Sequence, residues 1–146
     1  EFLTERTWQH DALNPTTLVV GGNVDQKQML VELTGWTEWH LTENNIAAFM
    51  KNATNTFYCM KISYANMLYD TCQEEGMSFN ELKHCLKQDT RMGNTHWDVP
   101  GPDRHTGYGG KCLSKDSQTV EENVMFPLKM FTKKSYNDER PNIFRF

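Results

Sequence analysis

A cysteine follows a glycine-rich stretch in the run Gly107-Tyr-Gly-Gly-Lys-Cys112-Leu-Ser-Lys-Asp116. Glycine adopts backbone dihedrals that are closed to other residues and lets the backbone approach a ligand closely. A cysteine presented on such a turn, with a cation beside it, can act as a nucleophilic thiolate. The spacing therefore predicts nucleophilic chemistry at Cys112. Taken without its neighbours, the same run also fits an inert loop cysteine.

A second pair with chemical potential is Lys51 and Asn55, which lie four residues apart in a helical pattern. Side chains at this spacing leave the same face of a helix. A cation and an amide donor aimed at one point stabilise an alkoxide or a tetrahedral oxyanion, an effect worth about 3–4 kcal/mol per donor. The alternative is a solvated pair on an exposed face.

Composition and charge argue against several other functional classes. The chain has 146 residues and a net charge of −4, so it lacks the basic footprint of a nucleic-acid-binding protein. No apolar run approaches the roughly 20 residues that a membrane span needs, and no signal peptide opens the sequence. The five histidines share no metal-ligand spacing, so we predict no metal site. We expect a cytoplasmic protein.

Three cysteines, Cys59, Cys72 and Cys85, lie inside helical patterns at core-like spacing. No C-x-x-C arrangement is present, which favours free thiols in a reducing compartment. We therefore predict that these three side chains behave as small buried apolar groups.

The elements that must position the reactive residues are mainly helical. Residues 1–22 predict a loop and a short strand, and 25–33 predict a helix. Apolar residues recur at helical spacing from about residue 41 to 75, where Gly76 supplies a C-terminal stop. A helix of roughly 50 Å has more apolar surface than one small domain covers, so we predict a partner subunit against it.

The second half of the chain predicts shorter elements. Ser78-Phe-Asn-Glu81 is a capping box that starts a helix through about Lys87. Residues 89–115 are rich in proline and glycine and predict loops. A further helix is predicted to begin near Asp116 and to run past Val124.

Longer matches surround the reactive residues. The run from Val99-Pro-Gly-Pro-Asp103 through Cys112 to Asp116 closely resembles the cysteine loop of the UDP-glucose/GDP-mannose dehydrogenase family. Three other stretches resemble family motifs in the same order: Glu1-Phe-Leu-Thr-Glu5 with Leu13-Asn-Pro15, the Lys51–Asn55 helix, and Asp89-Thr-Arg91-Met-Gly93. The resemblance spans Glu1 to about Phe131.

The resemblance implies a mainly α fold with a helical central domain like the C-terminal domain of 6-phosphogluconate dehydrogenase. It also implies one long dimerisation helix and a short N-terminal strand left from a Rossmann domain. Residues 1–24 would be the tail of the NAD-binding domain, 25–134 the central dimerisation domain with the cysteine loop, and 135–146 a linker toward an absent C-terminal UDP-binding domain.

The same resemblance implies that UDP-glucose is oxidised to UDP-glucuronate in two hydride transfers to NAD, through a thiohemiacetal and a thioester on Cys112. Lys51 and Asn55 would stabilise the oxyanion, and Asp116 would position or deprotonate the hydrolytic water. The remaining implied site residues are Glu1 and Glu5 for proton transfer, Phe2, Leu3, Arg91, Tyr108, Gly109 and Gly110 for substrate, and Lys115 for cofactor. Arg91 would reach across a homodimer that forms through the long helix.

The sequence contains no G-x-G-x-x-G after an opening strand. We therefore expect NAD to be bound mainly by a domain absent from this chain, in cis or as a separate subunit, and expect the isolated chain not to turn over NAD. Tyr108 and Ser114 depart from the phenylalanine and proline usual in the family's loop. A catalytically silent dimerisation module stays open as an alternative, as does a member that acts on GDP-mannose or a UDP-N-acetylhexosamine.

Overall fold

The computed structural model describes residues 7–15, 17–110 and 112–117, and these are mainly helical, as predicted. The elements run in the order α1 (Trp8–Leu13), β1 (Val19–Gly21), α2 (Val24–Thr34), β2 (His40–Thr42), α3 (Asn44–Glu74) and α4 (Phe79–Leu86). A 3₁₀ turn follows at Thr90–Met92, and residues 112–117 are helical (α5). The chain divides into two compact units, Glu1–Asn52 and Ala53–Phe146.

The first unit contains a strand–helix–strand arrangement. β1 and β2 pair in parallel, with Val20 opposite Leu41, and α2 connects them as parallel pairing requires. A full capping box starts α2: the Asn23 side chain accepts from the Gln26 N–H, and the Gln26 side chain accepts from the Asn23 N–H. Gly35, with φ of 72°, ends the helix.

The predicted strand and α2 are confirmed in this unit, and α2 extends one residue further at each end than expected. Two elements differ from the prediction. Residues 8–13 form α1 where a loop was expected, and β2 includes Leu41 and Thr42, which were expected to start the long helix. A three-residue strand is too short to show a period of two, because one alternation is also compatible with a helix or a loop.

The second unit is organised around the part of α3 that follows residue 52. The observed bounds of α3 lie inside the predicted 41–75. Gly76, with φ of 67°, lets the chain reverse there, and the Met77 N–H donates to the Cys72 carbonyl at 2.8 Å. This is the hydrogen bond of a Schellman motif, and it confirms the predicted glycine stop. The motif directs the chain into α4.

A small apolar core lies between α3, α4 and the loop after the 3₁₀ turn. Its buried members are Ala65, Cys72, Phe79 and Trp97, with Leu68, Tyr69, Leu82, Leu86 and Val99 packed against them. The Tyr69 and Phe79 rings meet edge to face, with centroids 5.4 Å apart. This core fixes the loop that carries Trp97 against the C-terminal half of α3.

The Ser78 side chain caps α4 by accepting from the Glu81 N–H, as the capping-box pattern predicted. One cysteine prediction is wrong. Cys59 and Cys72 are buried, but Cys85 is exposed. The inner face of α4 carries Phe79, Leu82 and Leu86, and a residue six positions after Phe79 falls on another side of the helix.

The surplus apolar surface predicted for α3 is present. Its large apolar side chains that remain exposed are Ile46, Phe49, Met50, Phe57 and Tyr64. None of the helices in the described ranges combines the length and the apolar character needed to cross a bilayer.

Candidate functional site

The C-terminal part of the described chain lies against α3 within the second unit, and side chains of α3 form hydrogen bonds to it. Residues 107–110, here called the glycine turn, are followed by α5. Asn55, Cys59 and Asn66 of α3 contact the glycine turn or α5 through Gly107, Leu113 and Asp116. Their spacings of four and eleven residues bring all three to one side of α3.

The shortest of these contacts joins two residues that the sequence had singled out separately. Asn55 Nδ2 donates to Asp116 Oδ2 at 2.6 Å. Asp116 is only 2% exposed, although it is charged. Its other oxygen lies 3.2 Å from Lys115 Nζ, on a side chain that is largely exposed. A buried carboxylate needs such donors, because taking the charge out of water without them costs several kcal/mol.

Cys112 is exposed and lies in α5, one helical turn before Asp116. The structure corrects the predicted start of this helix near Asp116. Gly110, with φ of 86°, ends the turn, and its carbonyl accepts from the Ser114 N–H at 3.4 Å, which starts the helical bonding earlier. Asp116 therefore lies inside the helix and is not its N-cap.

A thiol of α3 contacts the same helix. Cys59 Sγ is fully buried and lies 3.6 Å from the Leu113 carbonyl oxygen, at the residue that follows Cys112. Sulfur is a weak donor, so this contact contributes packing more than hydrogen-bond energy.

The glycine turn begins at a buried residue. The Gly107 N–H donates to Asn66 Oδ1 at 2.9 Å, and Gly107 has φ of 76°. Tyr108 is buried, Gly109 half-buried and Gly110 exposed. The turn therefore runs from the interior of the second unit to its surface immediately before the cysteine helix.

A lysine of α3 holds the loop after the 3₁₀ turn. Lys61 Nζ donates to the Met92 carbonyl at 2.7 Å and to the Gly93 carbonyl at 3.1 Å, and it lies 4.7 Å from the centroid of the Trp97 ring. Burial lowers the pKa of Lys61 below its ordinary value, and the charge of Lys87 lowers it further. The ammonium thus satisfies two carbonyls that end the 3₁₀ turn.

Arg91 lies on that 3₁₀ turn and pairs with Asp89. Arg91 Nε lies 2.9 and 3.1 Å from the two Asp89 oxygens, and Nη2 lies 2.6 Å from Oδ2. The hydrogen bonds from the Arg91 side chain, and then from its backbone, lower the pKa of Asp89. Both groups are accessible to water, so this pair orients the guanidinium without adding much stability.

The predicted site residues divide into four sets, the first of which is Tyr108, Gly109 and Gly110 in the glycine turn. Asn55, Lys115, Asp116 and Cys112 come together around α5. Lys51 is half-buried on α3 but belongs to the first unit, and Arg91 lies on the exposed 3₁₀ turn. Glu1, Phe2, Leu3 and Glu5 lie outside the described residues.

Sequence reasoning gave no site role to the supporting residues Asn66, Lys61 and Asp89. Asn66 had a detectable signal, because it is an amide at a core position of α3, seven residues after Cys59. Lys61 had none, since its partners are two backbone carbonyls that only the folded loop brings near. Asp89 pairs with Arg91, two positions away in the motif that the sequence already showed.

The Gly21-Gly22 pair at the end of β1 does not fit an NAD pyrophosphate site. A side chain at Gly21 would meet Asn44 Cα at 2.7 Å, and one at Gly22 would meet the Gln26 side chain at 2.1 Å. These glycines therefore admit neighbouring protein atoms and not a phosphate group, in contrast to a dinucleotide-binding turn. Within the described ranges, no group of three or more His, Cys, Asp or Glu residues could hold a metal ion.

Comparison with known proteins agrees with this architecture. The model of the UDP-glucose/GDP-mannose dehydrogenase family, central domain, matches residues 45–130. The chain is 29% identical over 125 residues to a UDP-glucose 6-dehydrogenase of Caenorhabditis elegans, a match covering 80% of this chain and 25% of that protein. It is 30% identical over 128 residues to UDP-glucose 6-dehydrogenase AglM of Haloferax volcanii, covering 82% of this chain and 29% of that protein. The chain thus spans about a quarter of the length of the curated relatives it matches.

Proposed function

This chain belongs to the UDP-glucose/GDP-mannose dehydrogenase family, and on that basis we propose that it is the central portion of an enzyme that oxidises UDP-glucose to UDP-glucuronate. UDP-glucose is the proposed substrate because the similar proteins from Caenorhabditis elegans, Rickettsia typhi and Haloferax volcanii are UDP-glucose 6-dehydrogenases. The family is NAD-dependent. We assign NAD mainly to a domain outside this chain, with Lys115 as the contact from this chain.

The proposed role of Cys112 is covalent. Its sulfur adds to the carbon of the aldehyde intermediate and forms a thiohemiacetal, whose oxidation leaves a thioester. Water then attacks the thioester carbon, the carbon–sulfur bond breaks, and the thiol is regenerated as the acid leaves. A thiol suits both the addition and the hydrolysis, because it adds readily to a carbonyl and its thioester can be hydrolysed. The exposure of Cys112 on α5 supports this role.

The observation that carries the proposal is the hydrogen bond between Asn55 and Asp116, 61 positions apart. It joins one proposed oxyanion donor to the proposed water-positioning carboxylate, one helical turn from the nucleophile. Asn55 Nδ2 has a second hydrogen, which we assign to the oxyanion together with the ammonium of Lys51. The buried position of Asp116 supports a role in which its carboxylate orients water at the rim of the site.

Substrate contacts are proposed for Tyr108, Gly109, Gly110 and Arg91, with Phe2 and Leu3 beside the sugar and Glu1 and Glu5 assisting proton transfer. The exposed apolar side chains of α3 support homodimerisation through this helix. Arg91 would then reach the nucleotide sugar of the partner subunit, and its pairing with Asp89 supports this role by orienting the guanidinium.

Thiol labelling tests whether Cys112 is an activated nucleophile. Cys85 and Cys112 are both exposed, while Cys59 and Cys72 are buried, so the chain contains its own reference thiols. Iodoacetamide is added at neutral pH and each cysteine is followed by peptide mass spectrometry. We expect Cys112 to be alkylated about tenfold faster than Cys85, because an unactivated thiol is only a few per cent thiolate. Equal rates at the two residues would favour a catalytically silent dimerisation module.

A chimaera tests the reaction itself. The segment of the Caenorhabditis elegans enzyme that matches this chain is replaced by residues 1–131, and NADH formation from UDP-glucose is measured. We expect activity that Cys112→Ser abolishes and Cys85→Ser, the matched control, preserves. Activity that survives Cys112→Ser would contradict the covalent role. GDP-mannose and UDP-N-acetylglucosamine, supplied in parallel, test the alternative substrates of the family.

A further inference from the structure

Asn66 is an amide buried in the middle of α3, and both ends of its side chain are satisfied. It is 2% exposed, its Nδ2 donates to the Ile62 carbonyl at 2.7 Å, and its Oδ1 accepts from the Gly107 N–H at 2.9 Å. Burying an amide without partners costs about 1–3 kcal/mol. Both bonds are therefore needed for this side chain to remain inside the helix packing.

The bond to Ile62 also fixes the direction of the amide. A donor on Nδ2 and an acceptor on Oδ1 are both used, so rotating the amide by half a turn would break both bonds. The Ile62 carbonyl thus holds Oδ1 toward the glycine turn. Asn66 Oδ1 is a buried acceptor and needs a donor. The donor is the backbone N–H of Gly107, which is 41 positions away in the sequence.

Gly107 is the first residue of the glycine turn, is buried, and has φ of 76°. This left-handed conformation is open to glycine and unfavourable for other residues. The turn is linked at its other end to α5, because the Gly110 carbonyl accepts from the Ser114 N–H. Displacement of Gly107 would therefore move the residues that present Cys112.

Asn55 and Asn66 are eleven residues apart, close to three helical turns, so they lie on one side of α3. Asn66 binds the segment before Cys112 at Gly107, and Asn55 binds it after Cys112 at Asp116. The cysteine thus lies between two side-chain hydrogen bonds that come from one rigid helix. Neither Asn66 nor Gly107, the two residues of the first hydrogen bond, has a chemical role in the proposed reaction.

We propose that Asn66 is a positioning residue for Cys112, acting through its hydrogen bond to the Gly107 N–H and the glycine turn. The inference rests on the proposed function for its chemical meaning, since Cys112 is the nucleophile there. It adds a residue that touches neither substrate nor sulfur.

The first test uses the full chain with Asn66→Leu, which keeps the side-chain size and removes both hydrogen bonds. Iodoacetamide labelling is followed separately at Cys112, Cys85 and Cys72. We expect the labelling rate of Cys112 to fall about fivefold, toward that of Cys85. A fivefold change corresponds to the loss of one hydrogen bond of about 1 kcal/mol, here the bond to Gly107. Cys72 reports on the core and should stay protected. An unchanged ratio of Cys112 to Cys85, with Cys72 protected, would overturn the proposal.

Thr71→Val is the matched control. The Thr71 hydroxyl donates to the Met67 carbonyl at 2.9 Å, so it makes the same kind of bond to the preceding helical turn as Asn66, but on an exposed part of α3. Its loss should leave the Cys112 rate unchanged. A fall as large as that in Asn66→Leu would mean that any weakening of α3 slows Cys112, and would also overturn the proposal.

If Asn66→Leu unfolds, the proposal is tested by amide hydrogen exchange at the Gly107 N–H. In the unmodified chain we expect this N–H to be protected, and exchange at the rate of an unstructured peptide would contradict the proposal. Asn66→Asp, at about pH 5, provides the rescue: burial favours the protonated acid, which can donate to the Ile62 carbonyl and accept from Gly107. Protection should return in this variant, and its failure to return would count against the hydrogen bond.

These measurements separate the inference from the proposed function. If Cys112 is no faster than Cys85 in the unmodified chain, the proposed function fails, while protection of Gly107 and its loss in Asn66→Leu still support the positioning role. If Cys112 is fast and Asn66→Leu leaves it so, the positioning role fails and the proposed function stands.

Discussion

Asn55 Nδ2 lies 2.6 Å from Asp116 Oδ2, and this hydrogen bond joins the middle of α3 to the helix that carries Cys112. Asp116 is almost fully buried, so an interaction that would be weak at the surface is screened little by water here. The contact makes the stability of the second unit and the geometry of the candidate site depend on the same pair of side chains.

A double-mutant cycle with Asn55→Ala and Asp116→Ala is expected to give a coupling free energy of about 1.5–3 kcal/mol, the range for a hydrogen bond to a charged group. The free energy of unfolding is measured by urea titration with circular dichroism. Lys115→Ala is the control, because the Lys115 side chain is largely exposed and its pair with Asp116 should contribute less than about 1 kcal/mol. Additive single-mutant effects would show that the hydrogen bond contributes little to folding.

Ser63→Ala is expected to leave stability unchanged or to raise it by up to about 1 kcal/mol. Ser63 is 1% exposed, and its hydroxyl has no hydrogen-bond partner in the structure of the described residues. Removing an unsatisfied buried hydroxyl recovers its desolvation cost, and alanine also favours the helix. A clear destabilisation in the same urea titration would mean that the hydroxyl has a partner in solution.

Trp97→Ala should destabilise the second unit by about 3–5 kcal/mol, as for other buried aromatic truncations. Trp97 is 1% exposed, and its Nε1 donates to the Gly93 carbonyl at 2.8 Å. Trp97→Phe keeps an aromatic ring but loses that bond, so about 1–3 kcal/mol is expected. Trp8→Phe, at an exposed residue, is the control and should change stability by less than about 0.5 kcal/mol. Comparable effects at both tryptophans would contradict the observed core.

His96 should make folding stability fall in mildly acidic solution. Its ring stacks on Tyr58 with centroids 4.0 Å apart, and burial, followed by the charge of Lys61, lowers its pKa below the ordinary 6.5. At a pH between the lowered pKa of His96 in the folded chain and its ordinary pKa in the unfolded chain, the unfolded chain binds a proton at His96 that the folded chain does not. Stability is therefore lost as pH falls through about 6.5, and the loss is complete below the folded pKa.

His96→Asn tests this origin, because asparagine tolerates the positive φ of 65° at this position. Urea titrations from neutral to mildly acidic pH should show a smaller fall in the variant than in the unmodified chain. His84→Asn, the same substitution at an exposed histidine, is measured in parallel for comparison. Equal slopes in the His96 variant and the unmodified chain would remove His96 as the cause.

Long-range pairing explains which features local patterns missed. β2 consists of His40, Leu41 and Thr42, and it becomes a strand because β1 offers it a parallel partner. α5 forms a hydrogen bond to the carbonyl of Gly110, and the left-handed conformation of Gly110 is one that a local pattern allows but does not require. Cys85 was assigned to the core because its helical period was read without knowing which face of α4 meets α3.

The amino-acid sequence alone determined the mainly helical architecture, the long α3 with its glycine stop, the cap of α4 and the family to which the motifs belong. The structural features depend on side-chain periodicity, capping chemistry and local backbone preference, which neighbouring residues largely settle, whereas the family follows from the resemblance of the motifs. Tertiary structure decided that Asn55 meets Asp116, that Asn66 binds Gly107 and that Lys61 holds the loop beside Trp97. Each of those contacts joins residues more than thirty positions apart, so only the packing of α3 against the later segments could select them.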